Sequence, residues 1–556
     1  MKKFTKLMSL FLAALMLLAT LTGCAGNNDK KKTSSNVPEV KFPLEETYTI
    51  KLMVTGTKDQ AKLEKCDFYQ KLLKETNVKL ELVSLGDEPT TTLNAMLSAG
   101  TYGDAIIGVL TDSLLTDMAY GGFLTPIEDY VLSPELMPNY NERGLENNPN
   151  AVGTMTLPDG HIYSVARLDL NPAAYLESPL VVNTAWVKQS GADISTIEGF
   201  TEYLRYVRDN DMNGDGNPND EVPFLLATSS GSPYATVQAC LQMWGLATKD
   251  SALDSYCVVK KGKVSLAPMM DAYKEAINQI AAWYKEGLIW SELYTANKES
   301  FDNRLNNREI CQFGATFGVI HLSAATSYAA DIQPVMLPSV KGYSPCAYLN
   351  PGYNGYKNTI TVTNNCEHPE IVLAYFDKFF SAEGSLNVLN GPTEDVAPEG
   401  YTAKYSLDKD GKVVWGDALT PEQNDANDKI SPTMSSCASG SYIFLRTMQD
   451  YEDGYIKLDA TYDKKLSSYE EYKDVINPEI WPRPYYTQEV NDEIGVIRTD
   501  VYNIITQYEA KWVTGQSDIN KDWDSYKKQM ENAGASSLVD LLQSAYDTWA
   551  TANNKK

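Results

Sequence analysis

Between residues 48 and 110 the hydrophobic pattern switches period four times, and few folds are compatible with that order. Tyr48-Thr-Ile-Lys-Leu-Met-Val54 alternates polar and apolar residues, as a half-buried strand does. Residues 58–76 carry the spacing of an amphipathic helix, and Val78-Lys-Leu-Glu-Leu-Val83 alternates again. A second helix is expected over 90–99, stopped by Gly100, and Asp104-Ala-Ile-Ile-Gly-Val-Leu110 reads as a third strand. Strand, helix, strand, helix, strand at this spacing predicts right-handed crossovers and a mostly parallel sheet, hence the α/β class.

Upstream, Lys2, Lys3 and Lys6 precede an apolar stretch over 7–21 broken only by Ser9 and Thr20. A positive start, a short apolar segment and small residues before a cut describe a secretory signal over residues 1–23. Leu21-Thr22-Gly23-Cys24 matches the bacterial lipobox, which implies cleavage before Cys24 and a diacylglycerol and palmitate anchor on it. The competing readings are a secreted soluble protein and a short membrane anchor, but a stable span usually needs about 20 apolar residues. Residues 24–44 are polar and form a linker. The expected location is the outer face of the cell membrane, held through the lipid alone.

The chain has 556 residues, enough for two or more domains, and 43% hydrophobic with 22% charged residues is an ordinary globular balance. Net charge is −25, which argues against nucleic-acid partners and against electrostatic attachment to anionic lipid. Tyrosine is abundant at 35 while histidine numbers 3, a composition that suits a polar binding cleft better than a metalloenzyme. Eight cysteines include no C-x-x-C pair, so a zinc ribbon is unsupported. Export would permit disulfides, whose pairing spacing alone leaves open.

Several stretches carry a resemblance. Ser98-Ala99-Gly100-Thr101-Tyr102-Gly103-Asp104 looks like the "S-G-x-x-P-D" turn of extracellular solute-binding proteins of ABC importers, with Gly103 in place of the proline. Pro158-Asp-Gly-His-Ile-Tyr163 resembles their "D-G-K-I-Y" hairpin, and Asp159-Gly160 is a good two-residue turn on physical grounds. Leu180-Val-Val-Asn-Thr-Ala-Trp186 is similar to their strand into a "D-W-L" helix start. Ser195-Thr-Ile-Glu198 has the spacing of a capping box, with Ser195 as N-cap. A helix over 269–285, buried strands over 313–319 and 335–337, and a helix led by His368-Pro369-Glu370 follow. Trp512-Val-Thr-Gly, Trp523-Asp-Ser-Tyr526 and Gln543-Ser-Ala-Tyr-Asp547 resemble the family's ending, so the likeness spans residues 48–549.

The family implies a two-lobed periplasmic-binding-protein-like α/β fold of type II, hinged between discontinuous lobes. By that analogy residues 45–169 and 346–400 form one lobe, and 170–345 and 401–556 the other.

Counting from Asp211, oxygen-bearing side chains fall at positions 1, 3 and 5 (Asp211, Asn213, Asp215), with Gly216 at position 6. This is the first half of an EF-hand loop. Val222 stands at position 12, and the acids come early at Asp220 and Glu221. The departure resembles the "D-P-N-G-N-G-K-x-D-E-I-P" loop of oligosaccharide-binding lipoproteins. It implies a structural calcium held by Asp211, Asn213, Asp215, the Asn217 carbonyl, Asp220 and Glu221; a metal-free polar turn is the alternative.

No H-E-x-x-H, G-x-S-x-G or phosphate-cradling motif occurs, and S-x-x-K at Ser406 and Ser525 lacks its companions. A carboxylate pair for glycoside hydrolysis stays open among 73 acids. Sugars present apolar C–H faces and rings of hydroxyls, so a sugar cleft needs aromatic platforms and charged hydrogen-bonders. The candidates are Arg167, Tyr234, Trp244, Tyr353, Tyr356 and Trp415, with core packing the competing role for each aromatic. The reading is a monomeric, lipid-anchored receptor that delivers an oligosaccharide to the transmembrane subunits of an ABC permease. An exported glycan-degrading enzyme and a receptor for peptides or another solute are the alternatives.

Overall fold

The structure, a computed structural model, describes residues 37–556 except 55–58, 109, 149, 177, 218, 229–234, 248–255, 308, 319–325, 351, 353–354, 439–442, 458–459, 480 and 554–556. The expected leader and Cys24 lie outside these residues, as do Tyr234 and Tyr353. Among the described residues no helix is long and apolar enough to cross a membrane.

Strands β1 (Tyr48–Val54), β2 (Val78–Ser84) and β3 (Ala105–Ile107) pair in parallel in the order β2-β1-β3, as the alternating pattern predicts. The expected helix over 58–76 is broken: Gln60–Leu63 ends before Cys66, which then caps Asp67–Thr76. Gly100 closes the helix Pro89–Ala99 in the left-handed region, at φ 66°, where its N–H reaches the Met96 and Leu97 carbonyls. The Asp159-Gly160 turn forms, closed by a bridge between Thr156 and Ile162. It delivers the chain to β4 (Ser164–Asp169).

The chain then crosses to a second sheet. Strands β5 (Leu180–Asn183) and β6 (Val222–Phe224) belong to it, while β7 (Cys257–Lys260) and β8 (Lys263–Leu266) form a separate hairpin. With β9 (Phe313–Phe317) and β10 (Ile332–Pro334) the second sheet has the order β10-β5-β9-β6. Its last strand lies over Ile332–Pro334 instead of 335–337. The helix Ile197–Asp209 is capped by Thr196, whose hydroxyl accepts from the Gly199 N–H at 3.1 Å. Ser195 is therefore not the cap: its own N–H is turned to Asp193 Oδ1, which sets the helix start one residue later.

A second crossing brings back β11 (Tyr356–Val362), which lies antiparallel between β3 and β4. After the hairpin of β12 (Tyr405–Leu407) and β13 (Val413–Trp415), β14 (Leu445–Arg446) adds to β4 in parallel, completing the order β14-β4-β11-β3-β1-β2. Residues 401–446 had been expected in the second lobe. Met434, Cys437, Ile443 and Leu445 among them are instead buried with Ile50, Leu52, Val165 and Phe376 of the first. The third crossing leads into the helix Ala460–Tyr472.

Each sheet has its own core. Phe200, Phe224, Trp283, Phe313 and Phe317 fill the second, together with Trp512, Trp523 and Tyr526 from the C-terminal helices. Trp523 and Tyr526 stack at 5.4 Å, as core staples rather than ligand platforms. No disulfide joins the seven described cysteines, and all but Cys346 are buried.

Candidate functional site

Three strand ends meet where the chain crosses between the cores. Strands β4 and β14 run parallel and end together, and antiparallel β11 begins beside them. In open α/β sheets the crevice at the carboxyl ends of strands is where ligands collect, because chain crossings leave it uncovered.

The register places side chains there two by two. Arg167 and Asp169 alternate onto one face of β4. Tyr356 is the Cα partner of Arg167, and Arg446 that of Asp169. The Arg167 guanidinium accordingly lies over the Tyr356 ring at 4.1 Å and over Phe444 at 4.8 Å. Arg446 covers Phe444 at 4.5 Å and approaches Asp169 at 3.8 Å. Tyr451 donates its hydroxyl proton to Asp169, at 3.2 and 3.3 Å from the two carboxylate oxygens. Burial pushes the Asp169 carboxyl above its ordinary value, and Arg446 pulls it back down.

The opposite wall comes from the crossings. Tyr175 follows the turn Pro172–Ala174, with its ring 6.3 Å from Tyr356. Tyr462 stacks on Tyr451 at 5.1 Å with 17° between the planes, and Asn171 Nδ2 donates to its hydroxyl at 2.7 Å. Together with Lys457 and Lys465 these groups enclose a cavity of about 460 Å³. The first and third crossings contribute residues to it and the second delivers Tyr356 at the start of β11, so a ligand held here would couple to hinge motion.

A larger cavity of about 1160 Å³ lies along the β7–β8 hairpin, with Trp244 on its wall. Its lining comes from the second lobe, so closure of one lobe on the other would not act on it. The smaller, interlobe cavity is the better candidate. Of the six candidates, Arg167 and Tyr356 are brought together at this cavity. Trp244 stands apart from them, 3% exposed in the second core, because its helix end packs inward. Trp415 is also elsewhere: it leans on Tyr405 at 5.5 Å and its Nε1 donates to the Gly454 carbonyl at 2.7 Å. Tyr234 and Tyr353 lie outside the described residues.

Sequence reading missed Asp169, Tyr175, Phe444, Arg446, Tyr451, Tyr462 and the two lysines. Only the alternation of Arg167 with Asp169 along β4 was a usable signal. Asp169 is the only carboxylate among the described residues of this cavity, so the two-carboxylate arrangement of glycoside hydrolysis has no second member in this set.

The loop over 211–221 folds on its own side chains. Asp211 accepts from the N–H groups of Gly214 and Gly216 at 2.7 and 2.9 Å, and Asp215 from the Asn217 N–H at 2.8 Å. Glu221 Oε1 accepts from the Met212 and Asn213 N–H groups at 2.7 and 3.0 Å. Asp220 Oδ2 takes a hydrogen bond from Gln312 Nε2 at 2.8 Å. The sister oxygens, Asp220 Oδ1 and Glu221 Oε2, are buried with no hydrogen-bond partner. Two unsatisfied carboxylate oxygens in a loop rich in oxygen donors fit a hard cation. Among the described residues, however, no group of three or more acidic, His or Cys side chains is gathered about one point.

No family model matches the chain. Over its whole length it is similar to the fructooligosaccharide ABC transporter substrate-binding protein FusA of Streptococcus pneumoniae, at 25% identity, covering 100% of this chain and 99% of that one. An extracellular solute-binding protein of Bifidobacterium longum subsp. infantis superposes with a TM-score of 0.72 at 18% identity, covering 90% and 98%. An EF-hand mutant of the S. pneumoniae protein in complex with fructo-nystose gives 0.67 at 21%, covering 90% and 99%. These superpositions show the two-lobed fold of solute-binding proteins.

Proposed function

We propose that this chain is the substrate-binding protein of an ABC importer, taking up an oligosaccharide between its lobes and presenting it to a membrane permease. The observation that carries the reading is the interlobe cavity, where rings and cations from two crossings converge with those at the ends of β4, β11 and β14. Tyr356 and Tyr175 supply flat faces for the apolar side of a sugar ring, and Asp169, Arg446 and Tyr462 supply hydrogen-bonding edges for its hydroxyls. Full-length similarity to a fructooligosaccharide receptor supports the same reading. Because strand ends and crossings share the cavity, a bound solute favours whichever hinge state completes both walls, and that state is the one a permease can distinguish.

Lipid anchorage on Cys24 belongs to this proposal, since a tethered receptor stays beside its permease. So does calcium in the 211–221 loop. Asp220 Oδ1 and Glu221 Oε2 would hold it, with Asn213 and the neighbouring acids, and its charge would relieve their burial. The role would be structural.

Isothermal titration of the mature protein with a panel of fructo-, gluco- and uronate-containing oligosaccharides tests the reading. Tyr356→Ala should weaken any sugar that binds by about tenfold or more, the loss of roughly 1–3 kcal/mol of ring stacking and packing. Silence across the panel, or binding indifferent to Tyr356, refutes this assignment of the site.

A further inference from the structure

After the third crossing the chain does not stay in the second lobe. Trp481 is buried in the second core, stacked on Tyr546 with 19° between the planes. Tyr485, on the same short segment, is buried against Met53, Ile106, Leu110 and Leu115 of the first lobe. Pro482 and Pro484 fix φ between the two rings, so the segment is a short, stiff tie from one lobe to the other.

Tyr485 ends on the strand that carries Tyr356. Its hydroxyl donates to Asn358 Oδ1, while Asn358 Nδ2 donates to the Leu110 carbonyl at 2.9 Å and to Asp112 Oδ1 at 3.0 Å. The neighbouring Lys357 lies over the Tyr485 ring at 4.0 Å and donates to the Arg483 carbonyl at 2.5 Å and to Asp112 Oδ2 at 2.9 Å. Lys357 and Asn358 lie in the bulge of β11, where the strand advances from Tyr356 to Ile360 while β4 runs only from Arg167 to Val165. Asn358 has φ 64° and Arg483 has φ 51°, two of the four non-glycine residues with positive φ among those described. Such backbone persists only where its surroundings fix it, and the bonds between these two segments do so.

A bulge re-aims the side chains beside it. Tyr356 immediately precedes this one, and its ring meets Arg167 in the register that the bulge sets. Core packing alone does not account for a tyrosine at 485. Phenylalanine would fill the same space, whereas a buried hydroxyl needs the partner that Asn358 provides.

We infer that Tyr485 is a positioning residue of the solute site: reaching from the second lobe, it clamps the β11 bulge and so holds the Tyr356 ring over Arg167. This rests on the receptor reading above and adds to it a residue outside the cavity.

The test is a double-mutant cycle on the mature protein, read by titration with kestose, maltotriose and trigalacturonate. Tyr485→Phe keeps the ring and deletes the hydroxyl; Asn358→Gly keeps the positive φ and deletes the side chain. Each should weaken the tightest-binding of the three sugars by about fivefold, the value of one buried hydrogen bond. In a Tyr356→Ala background both losses should collapse to less than about twofold, because they act through that ring. Leu93→Ala, from the helix Pro89–Ala99 in the same buried cluster, should lower the melting temperature without moving the dissociation constant. Unchanged affinity in Tyr485→Phe, losses undiminished in the Tyr356→Ala background, or an equal loss in Leu93→Ala each overturns the inference while the receptor stands. If none of the sugars binds wild type, or if Tyr356→Ala binds them as well as wild type does, the proposed site falls and the role of Tyr485 with it.

Discussion

Replacing Glu509 by Gln should make the second lobe markedly less sensitive to alkaline pH. Glu509 lies on the helix Gln488–Val513, 2% exposed, in the second core. The Tyr273 hydroxyl donates to it at 2.9 Å and Gln238 Nε2 reaches it at 3.2 Å. Tyr256, Tyr294, Tyr502, Tyr526 and Cys240 also surround this region, and no lysine or arginine is among the groups acting on the carboxyl. Burial pushes the carboxyl from 4.5 up to about 7, with the hydrogen bonds only partly opposing it. The folded state thus prefers the neutral acid. A raised carboxyl value stabilises the fold at low pH, and that contribution is lost as pH climbs from 4.5 through 7. At 1.36 kcal/mol per unit the loss is about 3 kcal/mol by pH 8. Glutamine copies the neutral acid and does not titrate. Urea unfolding of wild type and Glu509→Gln at pH 5 and pH 8 should show the stability difference shifting by roughly 2 kcal/mol in favour of Gln at the higher pH, since part of the loss has already occurred at pH 5. A difference that stays constant would mean Glu509 ionises normally in the folded protein, refuting the claim that desolvation dominates there.

Three other outcomes follow from the packing. Gly103→Ala should lower the melting temperature by several degrees, because an added Cβ would run into the Lys51 carbonyl oxygen, a backbone atom with little room to yield; unchanged melting would count against that close approach. Trp244→Ala should cost stability by about 3–5 kcal/mol. Once the variant is folded at low temperature it should keep sugar affinity, and a selective loss of binding would return Trp244 to the ligand site. For the 211–221 loop, a chelator should lower the melting temperature and excess calcium restore it, by about 2.7 kcal/mol of stabilisation at 100 times the dissociation constant. Glu221→Gln should blunt that response, whereas melting indifferent to both reagents rules out a structural cation.

Alternation and capping are local, and what rests on them could be read from the chain. Tyr48–Val54, Val78–Ser84 and the Gly100 stop are legible because each residue's neighbours along the chain decide its face. The same holds for the Asp159-Gly160 turn and for oxygen donors at alternate positions after Asp211. Even locally, Thr196 displaced Ser195 as the cap, since two adjacent hydroxyl residues compete and the Asp193 side chain takes the Ser195 N–H. What only the tertiary structure decided is everything that depends on pairing across hundreds of residues. Tyr356 meets Arg167, and Arg446 meets Asp169, through strand registers joining segments 189 and 277 residues apart. The two residues of β14 carry too little pattern to announce a strand, and their place beside β4 sets them, with Met434 and Cys437, in the first core. Burial separated Trp244 from Tyr356 although both are aromatics near glycine turns, because whether a ring faces a core or a cleft is a property of what packs over it.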